Sequence, residues 1–204
     1  MGGVRPEHHA TSRELLVAFG PKQLPFTIWD GQKLKGPIIG IDTETHSIVE
    51  HEVPTLVLVS VSDGENHYVL DRDRLPEFLE LHNGHHFVAH HMPFDFWVIA
   101  NWLGPRADAW WNIADRGRLH CTNILEQLNL LGKTDQYPRG WSLDSLTQKH
   151  LNVELFGKDD PRRQGFDRID GQPLQTVDAW YLQYAAQDAI AAARVYSAQQ
   201  KTAK

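Results

Sequence analysis

The 204-residue chain is poor in several things that define other protein classes. It has a single cysteine, Cys121, so no internal disulfide can form, and a reducing, intracellular (cytoplasmic) setting is expected. It has no apolar run of the length a membrane span needs and no apolar signal-peptide core near its start, so no membrane partner is expected. It lacks an excess of positive charge: the formal net charge is -6, which excludes a generally basic nucleic-acid-coating protein. A negative total does not exclude an enzyme acting on nucleic acid, because bound cations offset a cluster of acids. Twelve histidines are present, yet no C-x-x-C or H-E-x-x-H spacing occurs, and neighbouring histidines such as His90 and His91 point to opposite sides of a strand. Zinc is therefore discounted. Hydrophobic residues make up 41%, ordinary for a globular domain of this length.

What is present is organised around Ile38-Ile39-Gly40-Ile41-Asp42-Thr43-Glu44-Thr45. A β-branched apolar run reads as a buried strand, and alternate residues on a strand share a side. Asp42 and Glu44 thus project together from its end. Two carboxylates on one face repel unless a cation lies between them, and hard Mg²⁺ or Mn²⁺ favours oxygen ligands.

Before this strand, residues 1–35 read as a polar lead-in, with a short helix from a Ser12 cap to Phe19, stopped by Gly20-Pro21. Phe26 to Trp29 reads as an edge strand. Leu56 to Val61 and His67 to Leu70 form a hairpin across Asp63-Gly64-Glu65-Asn66. Together with the strand at Ile38 they predict three antiparallel strands. Leu75 to Leu81 is helical, His86 to His90 is a strand, and a helix runs from Pro93 to Gly104-Pro105. Leu119 to Leu131 predicts a helix entered through Thr122. Another begins after a Ser142 cap. Residues 156–176 read as a charged loop with basic residues Lys158, Arg162 and Arg163. The alanine-rich stretch from Val177 to Gln200 is the longest helix. The pattern is α/β, a mixed sheet flanked by helices.

Two later segments add acids. Asp95 falls in the first turn of a helix that follows a strand, where crevices of open α/β sheets gather ligands; it also reads as an ordinary acid at a helix N-terminus. Tyr184 and Asp188, four apart, share one face of the last helix. Among alanines, Asp188 is costly to bury unless paired or metal-bound; the plain alternative leaves it solvated.

In order, these segments resemble the DnaQ-like (DEDD) superfamily of 3'-5' exonucleases, and within it the proofreading exonuclease domain of family A (DNA polymerase I type) DNA polymerases. Asp42 to Ile48 is similar to that family's first motif, Phe87 to Asp95 to its second, and Tyr184 to Asp188 to its third. The likeness runs from about Pro25 to Tyr196. Gln183 stands where the histidine branch has its histidine, so the similarity is to the tyrosine subtype. His91 departs from the asparagine usual in the second motif.

The resemblance implies a ribonuclease H-like fold, with residues 1–24 an extension and 25–204 the exonuclease domain. It implies two divalent metal ions: Asp42, Glu44 and Asp188 at the first, Asp42 bridging, and Asp95 at the second. Tyr184 would orient the attacking water. Thr43 and Ile48 match positions that grip the terminal nucleotide. His91, Phe96, Phe166, Arg162 and Arg163 are further candidates for substrate contact. The expected substrates are single-stranded DNA or frayed duplex 3' ends, with a polymerase domain in cis or in trans, since the chain ends just after the third motif. The alternatives are an exoribonuclease similar to ribonuclease D and a non-catalytic scaffold.

Overall fold

The computed structural model describes residues 14–134 and 140–202. The apolar run at the centre of the sequence is β3 (Ile38–Thr45). Its antiparallel neighbour is β4 (Leu56–Ser62), which pairs in turn with β5 (His67–Asp71), so the expected three antiparallel strands form. β4 is buried along its whole length, as a strand covered on both faces must be.

The Leu15, Val17 and Phe19 side chains are buried while Leu16 and Ala18 are exposed. That period of two makes Leu15–Phe19 a strand, β1, rather than the expected helix. Gly20, at φ 61°, turns it into β2 (Lys22–Ile28); Ser12 lies outside the described residues. β2 is internal rather than an edge strand, pairing with β1 on one side and parallel with β5 on the other. On the far side of β3, β6 (His86–Ala89) and β7 (Leu119–Cys121) add parallel pairs. The sheet order is β1-β2-β5-β4-β3-β6-β7.

Helices cover both faces. On one side α1 (Leu75–Leu81), α2 (Met92–Leu103) and α3 (Asp108–Asp115) pack on a core that includes Ile39, Ile41, Val59, Phe87 and Trp110. The segment that becomes α3 carried no helix expectation. α4 (Thr122–Thr134) starts where β7 ends, so residues 119–121 extend the sheet instead of beginning the helix. α5 (Leu143–Leu151) is capped by Ser142, whose hydroxyl accepts from the Ser145 N–H at 3.1 Å.

The long helix α6 (Ala179–Thr202) lies on the opposite face, against Val17, Phe26, Leu58 and Val69. Its approach is very close. A Cβ added at Gly40 would strike the Ala189 carbonyl oxygen and come within 2.8 Å of Ala193 N. Ser60 Oγ donates to the Ala185 carbonyl at 2.7 Å. Alanines at 185, 186, 189, 192 and 193, all buried, let the helix backbone rest on β3 and β4. This contact sets the distance from Asp188 to Asp42.

Candidate active site

Gly40, Asp42 and Glu44 alternate along β3 and share the side of the sheet that α6 covers. A register irregularity between Glu44 and Thr45 ends regular pairing there, as bulges beside active sites commonly do. Glu44 is 9% exposed and Asp188 8% exposed. Thr43 points the other way, toward α2. Its N–H and its hydroxyl both donate to Asp95 Oδ1, at 3.1 and 2.7 Å. Asp95, 4% exposed, is thereby fastened to the end of β3.

The four acids feel one another. Burial, then Asp188, Glu44 and Asp95, raise the Asp42 carboxyl well above the usual range. Burial and then Asp188 raise Glu44 likewise. Burial pushes Asp95 up to about 7, against the two Thr43 hydrogen bonds. Burial also raises Asp188, opposed by Lys158. Mutual elevation of this kind is what like charges confined together produce. Carboxyls from β3, α2 and α6 thus lie near enough to act on one another at the end of β3.

Lys158, a residue that sequence reasoning left in a generic basic loop, is the cation of this cluster. Its Nζ donates to both Asp188 oxygens, at 2.7 and 2.6 Å, and to the Tyr184 hydroxyl at 3.3 Å. Tyr184 is pushed up to about 12 by burial and by Asp188, so its phenol keeps its proton at neutral pH.

The donor set suits a hard divalent ion. It is made of carboxylate oxygens with no thiolate, and Glu44 Oε1 is buried without a hydrogen-bond partner among the described residues. Among those residues no three histidine, cysteine or acidic side chains stand as a closed metal-holding group. Lys158 takes both oxygens of Asp188 instead.

The remaining candidates divide. Ile48 is 72% exposed on the loop after β3, open to a ligand. His91 is exposed at the N-cap of α2, its Nε2 3.4 Å from Asn123 Nδ2. Arg162 pairs with Asp160 at 2.6 Å and stacks on Trp180, and Arg163 donates to the Lys158 carbonyl. Thr43 spends its N–H and hydroxyl on Asp95, so it acts through that acid. Phe96 stacks on Trp110 beside Trp97 and Trp111, in an aromatic cluster between α2 and α3. Phe166 is 1% exposed and packs edge-on against Tyr181. A ring so buried cannot serve as the stacking platform expected of it; it supports α6 from below.

The segment from 152 to 178 is pinned at both ends of the site. Asp170 binds His46 and Arg72, each at 2.8 Å, tying it to the end of β3. Gln187 brackets Phe156, donating to its carbonyl at 2.8 Å and accepting its N–H at 3.1 Å.

Solved structures share this fold. Escherichia coli RNase D, an exoribonuclease involved in structured RNA processing, matches with TM-score 0.57 and 20% identity over 82% of this chain and 40% of that one. The chain thus spans well under half the length of that enzyme. The Aedes aegypti Nibbler EXO domain matches with TM-score 0.57 and 11% identity, over 82% of this chain and 79% of that one. A Trypanosoma brucei RNase D in complex with GMP matches with TM-score 0.57 and 12% identity, over 82% and 56%. No curated protein sequence matches. A family model described as 3'-5' exonuclease, and named for DNA polymerase A, matches residues 27–203. With that match over β3 to β7, the acids and α6, the chain belongs to this 3'-5' exonuclease family.

Proposed function

We propose that the protein is a metal-dependent 3'-5' exodeoxyribonuclease that releases nucleoside 5'-monophosphates from single-stranded or frayed DNA 3' ends. The observation that carries the reading is the convergence of Asp42, Glu44, Asp95 and Asp188 beside a protonated Tyr184, with Glu44 Oε1 unpaired among the described residues. Asp42, Glu44 and Asp188 would hold one Mg²⁺ or Mn²⁺, and Asp42 with Asp95 a second. Bound there, the ions make water a stronger acid and stabilise charge on the leaving 3'-oxygen.

The chain's own groups do the positioning. Thr43 fixes Oδ1 of Asp95. The Tyr184 hydroxyl accepts from Lys158, which leaves its own proton to hydrogen-bond and orient the attacking water. With its proton held up to about 12, it is no base. The exposed Ile48, three residues past β3, and Arg162 and Arg163, on the segment that carries Lys158, would contact the strand end. A polymerase domain, in cis or in trans, is the partner this activity would serve.

The name of the matching family supports DNA. A second reading, an exoribonuclease, draws support from the RNase D and Nibbler likenesses. Matched 3'-labelled DNA and RNA oligonucleotides, digested with Mg²⁺ or Mn²⁺ and with chelator, separate the readings. DNA trimmed faster than RNA, and only with metal, is the expected result. RNA trimmed faster supports the second, and no metal-dependent release of nucleotide supports a scaffold.

A further inference from the structure

Four acids in one cleft relieve their repulsion by holding protons or by gathering cations, and Lys158 brings one cation from the chain itself. The Lys158 side chain is 21% exposed. Its ammonium spans both oxygens of Asp188 and lies 4.6 Å from the centre of the Tyr184 ring.

The surrounding structure holds it there. Gln187, fully buried next to Asp188, grips both backbone groups of Phe156. Leu155 N–H donates to Asp144 at 2.9 Å. Gly157 then takes φ 72° and passes so close to α6 that a Cβ would lie 3.1 Å from Trp180 and 3.3 Å from Tyr184. Trp180 stacks on Tyr184 at 5.2 Å, and the Arg162 guanidinium lies 4.4 Å from the centre of the Trp180 ring. Arg163 closes the turn on the Lys158 carbonyl at 3.0 Å. A freely solvated lysine needs none of this.

We propose that Lys158 is a positioning residue, a tethered counter-cation that holds Asp188 and Tyr184 in register before metal arrives and gives up Asp188 when a divalent ion binds. The inference rests on the metal-dependent reading above. An ammonium that engages both oxygens of a carboxylate competes with a metal for the same lone pairs. The ion pair that steadies Asp188 is therefore subtracted from metal affinity, a reciprocal coupling between two cations.

The test compares the full chain with Lys158→Met, which keeps the stem over Tyr184 and removes the charge, and with Lys158→Arg, which keeps the charge. Mn²⁺ affinity is read by calorimetry, and melting temperature without metal by circular dichroism. Lys158→Met should melt lower without metal yet bind Mn²⁺ about 5-fold more tightly or better, while Lys158→Arg stays near wild type. Wild type that binds Mn²⁺, with Lys158→Met binding no more tightly, overturns the counter-cation role alone. Failure of wild type and variant alike to bind Mn²⁺ overturns the metal-dependent reading and this inference with it. A measurement on unmutated protein guards against a variant that does not fold. The Lys158 ammonium resonance, protected in the metal-free protein, should shift on Mg²⁺ saturation, and an unchanged resonance rejects the handover.

Discussion

At the residue scale the most informative group is Asp95. Its folded value of about 7 stands well above the ordinary 3.8, so the folded state holds a proton that the unfolded chain releases. As pH rises from about 4 toward about 7 that preference is lost, and each unit costs about 1.4 kcal/mol. Asp95→Asn keeps an oxygen for the two Thr43 donations and removes the charge. Metal-free Asp95→Asn should therefore melt above wild type by a margin clearly larger at pH 8 than at pH 5, while nuclease activity falls by roughly three orders of magnitude or more. Equal melting temperatures at pH 8 would place the strain elsewhere. Tyr184→Phe is milder: it removes one oriented hydrogen bond and should slow turnover roughly 10- to 100-fold, measured as kcat on 3'-labelled DNA. Strand and helix periods put Asp42 with Glu44 and Tyr184 with Asp188 on common faces but left plain readings open; the resemblance to the exonuclease motifs is what joined them, with Asp95, into one site. Lys158 was not, because its position depends on a turn fixed by Gln187 from another element. Phe166 was misread because a loop aromatic has no periodicity to tell a buried ring from an exposed one.

At the scale of elements, the contact between β3 and α6 does the positioning. Two backbones meet where Gly40 faces Ala189 and Ala193, beginning at the residue after Asp188 and two residues from Asp42. Gly40→Ala has no flexible side chain to push aside, so the helix itself must move. The expected cost is about 3 kcal/mol or more in denaturant unfolding, with kcat reduced in the fraction that remains folded, since Asp188 would ride outward with the helix. A variant as stable and as active as wild type would mean that the helix does not set the spacing of the acids. The central strand and the β4–β5 hairpin were readable because their apolar runs and turn residues agree. β1 was not. Gly20-Pro21 stops a helix as readily as it turns a hairpin, and the alternation of Leu15, Val17 and Phe19 spans too few residues to outweigh an apparent Ser12 cap. β7 has three residues, shorter than any pattern can register, and exists because β6 offers it a parallel edge.

For the whole molecule, two sets of buried groups pull stability in opposite directions with pH. His67, His82 and His90 are each held down to about 4, burial being the main cause. The unfolded chain binds protons there first, so these three lose stability as pH falls from about 6.5 toward about 4. The acid cluster has raised values in the fold, and it loses stability as pH rises through the same window and beyond. In the metal-free protein the two trends offset each other, and the melting temperature should change little between pH 5 and 7 before declining. A divalent ion binds only the deprotonated carboxylates, so proton release and metal uptake are linked. Saturating Mg²⁺ should cancel the loss due to the acids and leave the histidine trend, giving a melting temperature that climbs from pH 5 to about 7 and then levels. The increment due to metal should be small at pH 5 and largest at pH 8. Melting curves with Mg²⁺ and with chelator across that range measure it directly. An increment that does not depend on pH would mean that the ion is bound away from Asp42, Glu44, Asp95 and Asp188, because groups already ionised at every pH have no protons to exchange for it.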